Sequence, residues 1–124
     1  MITRDQFTSA MHAAVAERGQ DFVYPKEEPG WRLLSQTGIK GCRYVREDVM
    51  EPACLIGVAL SKCGVPLTQL RGMENAGAYQ VLGALGFADT VVRSAASEAQ
   101  QAQDAGGTWG AALIDYMVEL NRAR

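Results

Sequence analysis

Residues Ala53 to Gly64 read ACLIGVALSKCG, and they leave little freedom in how the rest of the chain is arranged. Leu55, Ile56, Val58, Ala59 and Leu60 give this segment no polar face. A helix that is apolar all round must be covered on every side, so the spacing predicts a central buried helix. Gly64 ends it, and Pro66 prevents its continuation. Gly57 inside it costs about 1 kcal/mol relative to alanine, a cost that close approach of another backbone would offset.

The flanking segments have to supply the cover. Residues 3 to 18 have helical periodicity, with Phe7, Ala10, Met11, Ala14 and Val15 on one face. Thr3 and Gln6 have capping-box spacing, and Gly19 suits a left-handed C′ position. Residues 67 to 86 read as one or two short helices with Leu67, Leu70, Tyr79, Val81, Leu82 and Leu85 inward. Residues 88 to 105 predict a longer helix that Gly106 and Gly107 break. Thr108 caps a last helix with the stripe Trp109, Ala112, Leu113, Tyr116, Met117 and Leu120. DFVYP has strand chemistry up to Pro25, and CRYV alternates as a strand does. The expected class is therefore mainly α with a small β element (α+β). It is a compact single domain, residues 1–124, of five or six helices, with a short hairpin or small sheet from residues 21–24, 42–45 and 49–53.

Composition limits what such a domain does. Of the 124 residues 48% are hydrophobic and 21% charged, an ordinary globular balance. The net charge of -2 argues against nucleic acid as a partner, because that binding needs clustered Lys and Arg. No apolar run reaches the ~20 residues of a membrane span. The opening MITRDQF enters an amphipathic pattern, not a signal peptide, and three cysteines with no secretion signal point to free thiols in a reducing cytoplasm.

Candidate chemistry is sparse. Cys42, Cys54 and Cys63 lack the close pairing of zinc ligands. His12, the single histidine, falls just off an apolar face, and the expectation is no metal and no cofactor. Small buried hydrophobes are the plain reading of the cysteines. Cys54 near a helix N-terminus, where the dipole lowers a thiol pKa, keeps a thiol or pocket reading alive around Cys42, Tyr44 and Cys54. SKCGVPLTQLRGMENAGAYQVLG has the length of a helix-turn-helix, but NAGAYQVL carries no Arg or Lys to meet phosphate or guanine. No P-loop or dinucleotide fingerprint is present. Glu47, Asp48 and Glu51 read as a solvated hairpin tip.

AQQAQDAGGTWG, Ala99 to Gly110, is the other unusual stretch. Gln100, Gln101, Gln103 and Asp104 crowd the last turn of a helix, where a carboxylate opposes the dipole. Two readings stand. In one, Asp104 accepts N–H bonds from the Gly106–Trp109 turn. In the other, the glutamines, Asp104 and Trp109 form a polar binding patch, with Trp31 as a second exposed contact residue.

Several of these motifs together resemble a group of small uncharacterised proteins of actinobacterial phages and prophages. The pattern is Cys-x-Tyr at Cys42 and Tyr44, Pro-x-Cys-Leu-Ile-Gly at Pro52 and Cys54 to Gly57, then Gln-Asp-x-Gly and Trp-Gly at Gln103, Asp104, Gly106, Trp109 and Gly110. The likeness runs roughly from Glu17 to Leu113. The connector REDVME is longer and more acidic than the short turn of that group. The resemblance implies an accessory protein in the bacterial cytoplasm and carries no activity. With no catalytic constellation in the sequence, the leading expectation is a non-enzymatic protein that binds a host or phage macromolecule. The alternative is small-ligand binding or thiol chemistry at Cys42 and Cys54. A protein partner is expected, a homodimer is left open, and no membrane is involved.

Overall fold

In the computed structural model, residues 2–23, 45–46, 51–73 and 76–122 are described. Six helices occur among them: α1 (Arg4–Arg18), α2 (Leu55–Lys62), α3 (Leu67–Arg71), α4 (Ala78–Ala84), α5 (Thr90–Asp104) and α6 (Trp109–Arg122). The protein is mainly helical. Every residue of α2 from Leu55 to Leu60 is buried, as its lack of a polar face requires. α1 packs along α2, and α5 pairs extensively with α6. The core joins them through Phe7, Met11, Leu55, Leu60, Leu82, Ala96 and Tyr116.

Local signals fix most helix ends. Thr3 Oγ1 accepts from Gln6 N–H, Gln6 Oε1 accepts from Thr3 N–H, and Phe7, Ala10, Met11, Ala14 and Val15 are the buried residues of α1. Gly19 has φ 98° and ψ 146°, outside the left-handed helical well that its spacing suggested, in a region open only to glycine. α2, α4 and α5 end alike. The N–H groups of Gly64, Gly86 and Gly106 reach back to Ser61, Gly83 and Gln103, and those of Val65, Phe87 and Gly107 to Leu60, Leu82 and Ala102. Gly106 makes that reversal at φ 93°, which a side chain resists.

The expected three-segment sheet is not supported. Among the described residues, β-type pairing is confined to a two-residue antiparallel ladder, Val45 with Pro52 and Arg46 with Glu51, and one bridge from Val23 to Thr108. Two residues are too few for an ordinary strand. Val23 pairs with the start of α6 because donors there need acceptors, which strand propensity alone does not register. The rest of the expected hairpin arm at 42–45, with Cys42 and Tyr44, lies outside the described residues, as do Glu47 and Asp48 of the acidic tip, whereas Glu51 belongs to the ladder.

One polar tie spans the helical layer. Arg4 Nη2 and Nε lie 2.7 and 2.8 Å from Asp89 Oδ2, while Asp89 Oδ1 accepts from Val91 and Val92 N–H at the start of α5. Burial pushes the Asp89 carboxyl up, but the hydrogen bonds from Arg4 and the backbone, with the Arg4 charge, outweigh it and hold it below its ordinary value. Nearby, Thr8 and Tyr116 share a 2.7 Å hydrogen bond between hydroxyls, and burial pushes the Tyr116 phenol up to about 12.

A depressed carboxyl stabilises the fold above its unfolded value, and that contribution is lost as pH falls through the folded value. Asp89→Ala is therefore expected to cost about 0.5–2 kcal/mol at neutral pH, chiefly as a lost cap, since the Arg4 pair is partly exposed and screened. The difference from wild type should shrink towards acid pH. Urea denaturation of both proteins along a pH series checks this; a difference independent of pH removes the carboxylate from the account.

Candidate functional site

A helix starts with N–H groups that have no partner inside the helix. Where such a start is buried, each donor needs an acceptor from elsewhere. α5 supplies two. Gln103 is 1% exposed, and its Oε1 accepts from Leu55 N–H, the first residue of α2, at 2.9 Å. Gln100, also buried, accepts from Ala78 N–H, the first residue of α4, at 2.7 Å. One turn of α5 thus caps two other helices. The amide of Gln103 is oriented by its second contact, Nε2 donating to Asp104 Oδ1 at 3.2 Å.

This corrects both expectations for the corner. Gln100, Gln103 and Trp109 are not an exposed patch; they are interior, with Trp109 0% exposed. Nor do the turn donors go to Asp104. Gly106 and Gly107 N–H bond carbonyls of α5, while Trp109 and Gly110 N–H bond the carbonyls of Phe22 at 2.8 Å and Gln20 at 2.9 Å. Thr108 Oγ1 does cap α6, accepting from Ala111 N–H at 3.1 Å. Backbone acceptors from residues 20–22 win because they reach the α6 start directly.

Trp109 fills the corner between these elements. Phe22 meets it edge-on at 4.7 Å, and the Arg18 guanidinium lies 5.4 Å from the Phe22 centroid and 5.6 Å from that of Trp109. Its Nε1 is buried and has no hydrogen-bond partner among the described residues.

Cys54, 0% exposed, is the N-cap of α2, and its Sγ accepts from Gly57 N–H at 3.4 Å. A thiol held there is shielded from solutes, which weakens the nucleophile reading. Cys63 lies at the other end of α2, half-buried; burial pushes its thiol up, away from the reactive thiolate. Its Sγ donates to Gln6 O at 3.8 Å. Trp31, Cys42 and Tyr44 lie outside the described residues. Among the described residues, no three His, Cys, Asp or Glu side chains gather as a metal site would require.

The exposed chemistry lies elsewhere. A groove of about 880 Å³ between α1 and α6 is lined by His12, Leu113, Ile114, Met117, Val118, Asn121 and Arg122. Ile114 is 63% exposed and Val118 58%. The helical period of α6 already carried the signal: the inward stripe uses Leu113, Met117 and their neighbours, so Ile114 and Val118 sit on the flank that should be polar. Comparison with protein-family models, with curated proteins and with solved structures finds no match. No helix among the described residues is long and apolar enough to cross a membrane.

The corner yields two expected outcomes. Gln103→Met keeps the length but leaves Leu55 N–H without an acceptor, so it should cost about 1–3 kcal/mol. The exposed neighbour Gln101→Met should stay within about 0.5 kcal/mol. Equal effects in chemical denaturation would refute the cap. A Cβ at Gly110 would stand 2.9 Å from Gln20 O. Gly110→Ala is therefore expected to destabilise by about 1–3 kcal/mol despite the better helix propensity of alanine, measured in the same way.

Proposed function

We propose that this chain is a non-enzymatic binding protein whose contact surface is the groove between α1 and α6. The exposed pair Ile114 and Val118, continuous with the half-buried Leu113 and Met117, carries this reading. One turn apart on one helix, they offer the i, i+4 anchors by which helices dock into grooves. An apolar pair left in water has a cost that burial against a protein surface removes. His12, Asn121 and Arg122 give the apolar floor a polar rim, the usual anatomy of a contact surface.

The pattern shared with small phage and prophage proteins supports a phage-type accessory role in the bacterial cytoplasm, against a protein of host or phage origin. The thiol alternative at Cys42 and Cys54 has less support, because Cys54 is buried and holds a helix start.

Photo-crosslinking tests the surface. A benzophenone amino acid replacing Val118 in an actinobacterial host is expected to give a discrete adduct, and the same group at exposed Gln101 none. Ile114→Glu should reduce the adduct at least about tenfold, as loss of an anchor residue does. Indistinguishable patterns at 118 and 101 would refute the reading.

A further inference from the structure

The exposed flank of α6 is self-complementary. Ala111, Ile114, Asp115, Val118, Asn121 and Arg122 are all exposed. At 100° per residue, with Val118 taken as the centre, Asp115 and Arg122 fall about 40–60° to one side, and Ile114 and Asn121 about the same to the other. Along the axis Asp115 precedes Val118 by about 4.5 Å, and Arg122 follows it by about 6 Å. The charges therefore stand at nearly equal distances on opposite sides of an apolar centre, on the same flank.

We infer that this face pairs with a second copy of the chain, α6 antiparallel to α6 about a two-fold axis at Val118. In such a pair each flank meets the same flank of its partner, so each Asp115 comes level with the other copy's Arg122, and the contact forms twice. The two Val118 side chains meet on the axis. Each Ile114 falls beside the other copy's Asn121, at the mouth of the α1 groove. Arg122 is available for this: its Nη1 is 3.5 Å from Glu119 Oε2, a loose contact that leaves the side chain 75% exposed. A parallel pair would bring opposite flanks together, setting Asp115 beside the other copy's Ile114 and Arg122 beside its Asn121 with neither charge paired, so the charges select the antiparallel arrangement. One helix face is a small interface, which places the association at the weak, reversible end of the range.

The inference rests on the reading of this face as a contact surface, and sedimentation of the purified protein separates the two. Concentration-dependent dimerisation is expected below about 1 mM. Ile114→Glu should abolish it. Asp115→Arg and Arg122→Asp should each weaken it at least about fivefold, and the double variant should return to within about twofold of wild type, as a swapped charge pair does. Thermal melts confirm that the variants fold. A protein that stays monomeric throughout overturns the inference, and a heterologous adduct at position 118 would then leave the contact reading intact. A dimer insensitive to Ile114→Glu, or single charge variants with no recovery in the double, also overturns it.

Discussion

Buried helix starts must find acceptors, and this requirement organises the protein. α2 cannot be placed at the centre of the molecule unless the N–H of Leu55 is satisfied there, because no water reaches it. Gln103 answers from one turn of α5, and Gln100 answers for Ala78 and α4 from the same turn. The two amides set the position of α5 relative to both helices, so the interior has a polar register as well as an apolar volume. Apolar packing tolerates small shifts of one helix along another. A hydrogen bond of 2.7 to 2.9 Å from a buried amide does not, since half a turn of slippage would strand both donors.

The charged groups act around that frame. Arg4 and Asp89 join the first turn of α1 to the start of α5. Lys62 and Glu17 pair at the edge between α2 and α1, and the hydrogen bond from Lys62, with its charge, holds the Glu17 carboxyl below its ordinary value. Arg93 packs 4.0 Å from the Tyr79 ring centroid and donates Nε to Tyr79 O, spanning α5 and α4. A side chain at Gly83 would collide with that guanidinium. These contacts lie at the margins of the helical layer, so their contribution is to orientation more than to the core.

The parts of the fold written in local sequence were legible from it. The capping box at Thr3 and Gln6, the apolar circumference of α2, and Thr108 ahead of α6 each depend on residues a few positions apart. What the sequence could not supply was pairing at a distance. The crowding of Gln100, Gln103 and Asp104 in one turn was visible, but nothing in it names Leu55 or Ala78 as the donors. The carboxylate looked like the capping group because a charged acceptor is the stronger one; backbone carbonyls took that role at the turn, and neutral amides cap α2 and α4, where a charge would be costly to bury. The exposed apolar pair on α6 was legible in principle. Ile114 and Val118 break the polarity of their flank, but attention to the inward stripe passes over them.

The start of α6 has a different kind of cap, and its consequence concerns what mutagenesis can see. Trp109 and Gly110 donate to the carbonyls of Phe22 and Gln20, groups that every residue carries. Substituting Gln20 or Phe22 removes a side chain and leaves the acceptor in place. An alanine scan of this turn would therefore report the packing of Phe22 and miss the two bonds entirely. Their trace in the sequence is indirect: a glycine at position 110, where the backbone of residue 20 comes too close for any side chain. Replacing those amide linkages with esters, which weakens the carbonyl acceptor while keeping every side chain, is the kind of change to which this cap responds.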